Sequence, residues 1–208
     1  MVQKLGHLKE SPSQTAGPYV HIGTTPNWVE ITGVWKDDLG LVLVSPDTKG
    51  ERIIVKGRIF DGSGTPLKDA LIEIWQADAK GLYNSPQERR GRADPHFVGW
   101  GRQPVDGATG EFRFETIKPG RVPFRDGRAM APHITFWIVA RGINTGLHTR
   151  MYFGDEEAAN AECPVLARIE HKIRLSTLVA PRTEENGLPT YTFDIRLQGE
   201  NETVFFDI

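Results

Sequence analysis

Apolar residues along this chain recur mostly at every second position. They lie in short stretches rich in β-branched and aromatic side chains, separated by Gly, Pro and Asp, which is the pattern of strands joined by turns. Arg52 to Phe60 is the first clear strand. Asp61, Gly62, Ser63, Gly64, Thr65 and Pro66 then supply flexible glycines and a proline, so the chain reverses before a second strand from Ala70 to Ala77 that carries Trp75. These two strands are expected to pair. Further strands are expected at Glu111 to Ile117, His133 to Arg141, His148 to Phe153, Tyr191 to Leu197 and Thr203 to Phe206. A set of this kind predicts an all-β fold, a two-sheet sandwich of antiparallel strands with little helix.

One short helix is expected. Asp155 reads as its N-cap, Glu156 and Glu157 as an acidic first turn, and the run stops near Pro164. Residues 1–50 hold little periodicity but contain Pro12, Pro18, Pro26, Trp28 and Trp35, which predicts an arm that packs across a partner surface. Residues 51–208 form the sandwich domain. The chain has 208 residues, enough for a substantial single core.

A net charge of -2 argues against nucleic-acid or membrane-surface binding, and the basic run Arg89, Arg90, Arg92 is broken by Gly91 and reads as a solvated loop. The single cysteine, Cys163, rules out an intramolecular disulfide. With no long apolar run and no leader-like N-terminus, a cytoplasmic location is expected. Phosphate-loop, HExxH and CxxC motifs are absent, and Gly99, Trp100, Gly101 lacks what a dinucleotide loop needs. Cys163, between Glu162 and Pro164, has no neighbour in sequence placed to activate it and reads as a packing residue.

Three spaced segments carry more information. They are Trp75, Gln76, Ala77 running on to Tyr83; Ile117, Lys118, Pro119, Gly120; and Ala131, Pro132, His133, Ile134. Together they resemble the intradiol ring-cleavage dioxygenases, non-haem iron(III) enzymes. The resemblance implies, for an iron-bearing chain, a tyrosine after WQA, a second just after IKPG, and an HIH pair whose members point the same way from a strand. Here Tyr83 and His133 remain, but Val122 stands at the second tyrosine and Thr135 at the second histidine. Met130 replaces an arginine that helps to stabilise reaction intermediates.

Some members of this family consist of two homologous chains that cleave protocatechuate with O2 to 3-carboxy-cis,cis-muconate. The present chain is similar to their iron-free alpha chain. The residues that carry this are Pro12 to Gly23, Ala140 to Asn144, Leu147 to Arg150, and Gln198 to Ile208. The resemblance implies that Fe(III) resides on a homologous beta chain in a higher alpha-beta oligomer, that the present chain has no metal ligand or catalytic residue of its own, and that it lends substrate-binding residues to the partner's pocket. Those are Thr15, Gly17, Pro18, Tyr19 and Arg141, with the Arg141 guanidinium suited to a ring carboxylate. His148 and Arg150 share a strand face and are expected to serve packing or interface hydrogen bonds. Two other readings stay open: a scaffold subunit that touches no substrate, and a self-sufficient enzyme whose missing ligands are Tyr152 or Tyr191.

Overall fold

The computed structural model describes residues 15–144 and 146–207. Pro12, Ser13, Gln14 and Ile208, used above, lie outside them, as do residues 1–11 of the expected arm. One five-stranded sheet holds β1 (Arg52–Phe60), β4 (Glu111–Ile117), β8 (Arg182–Glu185), β9 (Leu188–Thr192) and β10 (Ile195–Arg196). The other holds β2 (Leu71–Trp75), β3 (Trp100–Pro104), β5 (His133–Val139), β6 (Leu147–Phe153) and β7 (Val179–Ala180), in the order β3-β2-β5-β6-β7. The sandwich is therefore as expected, but its sheets are mixed. β9 and β10 run parallel to β1, and β7 runs parallel to β6.

β1 and β2 do not pair, contrary to the sequence expectation. β4 takes one edge of β1, β9 and β10 take the other, and β2 lies between β3 and β5 in the opposite sheet. The turn itself forms: Asp61 Oδ1 accepts from the Ser63 and Thr65 amides at 2.8 and 2.9 Å, and the Leu67 amide donates to Ile59 O at 2.8 Å. Turn chemistry reverses the chain without deciding which sheet receives the next strand.

The single strand expected over Tyr191 to Leu197 is interrupted between β9 and β10. At the break the Phe193 amide still reaches Lys56 O (2.7 Å), and Asp194 Oδ1 accepts from the Arg58 amide (3.0 Å) where a backbone carbonyl would otherwise serve. Gly57 makes this possible, since a Cβ there would lie 2.0 Å from Phe193 O. Thr203 to Phe206 forms a single bridge, Phe206 to His148, and no strand. β3 escapes the sequence pattern because Gly101 and Pro104 interrupt its alternation, and among the named strands it pairs with β2 alone.

Helix is scarce among the described residues: α1 (Pro18–Thr24), α2 (Glu157–Glu162) and two short 3-10 segments, Leu166–Arg168 and Lys172–Leu178. Asp155 does not cap α2, whose N-cap is Glu156 without a side-chain bond. Its carboxylate instead receives Lys118 Nζ at 2.8 Å, Arg182 at 3.2 Å and the Tyr191 hydroxyl at 3.0 Å. Two cations and a phenol outcompete weak backbone donors.

Period two divides each strand between two environments. Ile53, Val55 and Ile59 of β1, Phe112 and Phe114 of β4, and Ile134, Phe136 and Ile138 of β5 turn into the space between the sheets. Phe136 meets Phe193 at 5.2 Å and Phe112 at 5.8 Å between ring centroids. Each such buried side chain contributes about 1.5–3 kcal/mol, and well-placed ring pairs about 0.5–1.5 kcal/mol more. No helix among the described residues is long and apolar enough to cross a membrane.

Candidate functional site

The residues left on the outer face of the β2–β5–β6 sheet are the ones singled out by sequence. Because Ile134 and Phe136 face inward, His133 and Thr135 face outward. Register then sets Trp75, Thr135 and Arg150 in one row across three strands, and His133 opposite Tyr152 in the next. Loops cover this face with a second apolar cluster that includes Val122, Met130, Ala131, Tyr152, Cys163 and Leu166.

His133 is buried. Its Nδ1–H donates to Ala131 O at 2.8 Å, and its ring centroid lies 5.7 Å from that of Tyr152. Burial, aided by the charge of Arg150 and opposed by the Ala131 bond, pushes its pKa down to about 4, so the ring stays neutral at ordinary pH. Among the described residues the buried Tyr152 hydroxyl finds no well-formed hydrogen bond, and burial pushes its pKa strongly upward. Tyr83 lies stacked on Trp75, with centroids 5.8 Å apart and planes 2° from parallel; burial raises this phenol too, against the opposing charges of Arg150 and Arg90.

Trp75, Tyr83, Glu88, Arg90, Val122 and Met130 line a cavity of about 330 Å³ here. Arg90 is held by Glu88 at 2.5 Å, and that bond pulls the Glu88 carboxyl down to about 2. Arg150 sends its guanidinium to Met130 Sδ at 3.6 Å.

This donor set does not fit iron(III). A ferric ion favours hard anionic oxygen donors, and of the four ligand positions in the family pattern only Tyr83 and His133 keep the expected side chain. Val122 is 2 % exposed and offers no donor, Thr135 is a poor one, and the neighbouring Arg150 guanidinium repels a cation. Among the described residues no group of three or more His, Cys, Asp and Glu could hold a metal ion. Tyr191 is not brought to this face: its hydroxyl donates to Asp155 and its ring packs edge-on against Phe153 in the inter-sheet core. Arg150 is the residue that sequence reasoning undervalued, because only the β5–β6 register shows that it stands among Tyr83, His133 and Tyr152. His148 does share its face, and its ring packs at 4.3 Å from Trp137.

A second group of predicted residues meets at one rim. Thr15 Oγ1 accepts from the Gly142 amide at 2.7 Å, and Thr15 bridges Asn144, so the arm is tied to the loop that follows β5. Gly17 is the N-cap of α1 and Pro18 its first residue, where a missing N–H costs nothing. A Cβ on Gly17 would meet nothing within 4 Å in this chain. Tyr19 is 85 % exposed. His21 of α1 lies buried, with Nε2 at 3.0 Å from Asp69 O, and the Asp69 carboxylate pairs with Arg141 Nε. Ala16, Gly17, Val20, His21, Trp28 and Arg141 thus border a cavity of about 490 Å³, with the Arg141 side chain 75 % exposed. Of the five expected residues, Gly17 and Arg141 line this cavity, whereas Thr15, Pro18 and Tyr19 lie beside it in sequence and are not part of its wall.

Known proteins with this pattern agree with one another. A family model described as "Dioxygenase" matches residues 24–199. The protocatechuate 3,4-dioxygenase alpha chain of Pseudomonas putida is 46 % identical over 204 residues, covering 96 % of this chain and 97 % of its own. The protocatechuate 3,4-dioxygenase beta chain of Burkholderia cepacia is 37 % identical over 160 residues, 74 % of this chain and 67 % of its own. In fold, the dioxygenase domain of a carbohydrate-binding fusion protein from Streptomyces sp. SirexAA-E matches with a TM-score of 0.55 at 22 % identity, over 97 % of each chain. Altered ligand positions and near full-length similarity converge: this chain belongs to the intradiol ring-cleavage dioxygenase family and stands there with the protocatechuate 3,4-dioxygenase alpha chains.

Proposed function

We propose that this chain completes the substrate pocket of an iron-bearing homologous beta chain, with protocatechuate and O2 as substrates and 3-carboxy-cis,cis-muconate as product. The metal lies on the partner alone, because the donor set on this chain's own outer face is spoiled at Val122 and Thr135. When bound, that iron(III) supplies Lewis-acid activation of the catechol. This chain's residues bind and orient. Arg141 attracts the ring carboxylate and holds it at the pocket mouth, Tyr19 offers a ring and a hydroxyl, and Thr15, Gly17 and Pro18 shape the wall between them.

One observation carries this reading: the hydrogen bond from the Gly142 amide to Thr15 joins two segments far apart in sequence into one rim, with Arg141 and Tyr19 both presented outward. Nothing in the chain's own core requires that exposure. The same arm leaves Ile22, Val34, Trp35, Leu39 and Val42 exposed, an apolar surface suited to a protein partner. Residues 1–50 therefore act as the partner-contacting arm, residues 51–208 as the sandwich, and the assembly is cytoplasmic.

The test is Arg141→Ala in the co-expressed pair. An exposed charge-assisted bond that must compete with Asp69 is worth about 0.7–1.4 kcal/mol, so the Michaelis constant for protocatechuate should rise about 3- to 10-fold with kcat nearly unchanged. A Michaelis constant within twofold of wild type would leave the scaffold reading standing instead.

A further inference from the structure

A third cavity, of about 480 Å³, has Arg150 of the outer sheet face in its wall. Phe124, Arg125, Arg168 and Phe206 line it, with Val165 and Ile169 adding apolar wall. The Arg125 and Arg168 guanidiniums lie 5.4 and 5.1 Å from the Phe124 ring centroid, and that of Arg150 lies 5.7 Å from the Phe206 centroid. Three cations thus converge on two aromatic rings.

None of the three is neutralised. Arg90, Arg102, Arg141 and Arg182 all hold carboxylates, whereas Arg125, Arg150 and Arg168 form no ion pair among the described residues. Arg150 reaches a thioether, a weak acceptor, and no carboxylate among the described residues. Asp207 also lines the cavity but bonds none of them. Arg125 and Arg168 are exposed and Arg150 is half-buried, so solvent and the cation–π contacts together offset the mutual repulsion of three like charges around one cavity. The guanidinium fork is shaped for bidentate carboxylate binding, the rings offer flat apolar faces, and the volume is that of a small-molecule site.

We propose that this cavity binds a flat organic carboxylate, with its body against Phe124 and Phe206 and its carboxylate held between Arg150 and the Arg125–Arg168 pair. A bare inorganic oxyanion would leave the aromatic and aliphatic wall unused. A ring acid and an unsaturated open-chain polyacid share the required chemistry. The site does not depend on the reading of Arg141 above, since it lies on this chain alone and uses none of the rim residues.

The experiment is calorimetric titration of the full chain at low ionic strength with isophthalate, with cis,cis-muconate and with phosphate. Saturable binding of isophthalate or muconate is expected, at least about tenfold tighter than phosphate, and whichever binds better identifies the source as ring or open-chain acid. The surface double variant Arg125→Ala/Arg168→Ala should weaken it about tenfold or more, and Arg150→Gln should do the same with its circular dichroism spectrum intact. Arg141→Ala should leave it unchanged. The proposal is overturned if neither carboxylate saturates by about 10 mM, if phosphate binds as tightly, if the double variant binds like wild type, or if Arg141→Ala abolishes binding.

Discussion

Replacing His133 by asparagine isolates the pH dependence of the outer-face pocket, because the amide N–H can still donate to Ala131 O while nothing titrates. In the unfolded chain a histidine gains its proton near pH 6.5; in the fold His133 gains it only near 4, mainly because it is buried and secondarily because Arg150 is close. Between those values the unfolded state binds a proton that the native state refuses. Stability is thus fully present above pH 6.5 and falls as pH is lowered towards 4. At about 1.4 kcal/mol per unit, the loss reaches about 2.5 kcal/mol by pH 4.5 and about 3 kcal/mol at its limit. His148, also depressed by partial burial and by Arg150, adds in the same direction in both proteins. The depressed carboxylates, Glu88 and Asp155 among them, lose their contributions at lower pH. The assay is urea unfolding of the full chain and of His133→Asn at pH 7.5 and pH 4.5. The wild type should lose about 2.5 kcal/mol more than the variant over that interval; parallel losses would refute the buried, neutral imidazole.

Three further outcomes follow from the same geometry. Gly57→Ala drives a methyl group into Phe193 O and should cost about 2–4 kcal/mol in thermal unfolding, whereas Gly62→Ala, which meets the flexible Gln198 side chain, should cost under about 1 kcal/mol. Gly17→Ala enters open space in this chain and should leave its unfolding midpoint within error, so that any effect appears only in complex formation with the beta chain. Asp155→Asn leaves Lys118 and Arg182 without their shared carboxylate and should cost about 1–2 kcal/mol at pH 7; as the Asp155 pKa is depressed, that advantage over asparagine should fade as pH drops through the carboxylate range.

Alternation of apolar residues located β1, β4, β5 and β6 to within two residues, because those strands bury one face and expose the other. It did not locate β3, nor did it show that β1 and β2 belong to different sheets. Strand partnership is decided by edges offered elsewhere in the chain, and a local turn motif carries no information about them. Asp155 shows a similar limit. An acid before a helical run suits a cap, but the proximity of Lys118, Tyr191 and Arg182 exists only in three dimensions. For the site, the departures at Val122, Met130 and Thr135 were legible beside the family motifs, and Thr15, Gly17, Pro18, Tyr19 and Arg141 stand as the proposed rim. The central position of Arg150 was not, since the same residue one register step away would face another neighbour. The unpaired state of Arg125 and Arg168 was equally invisible, because a sequence shows charges but not the carboxylates that fail to reach them.

The apolar packing of Val122 and Met130 behind Tyr83 also bears on biosynthesis. An outer face held together by apolar side chains needs no ion to fold around, so on the proposed division of labour this chain would mature even while iron is scarce. Chelation should then spare its tertiary structure, and on the same proposed reading iron starvation would act through the other chain.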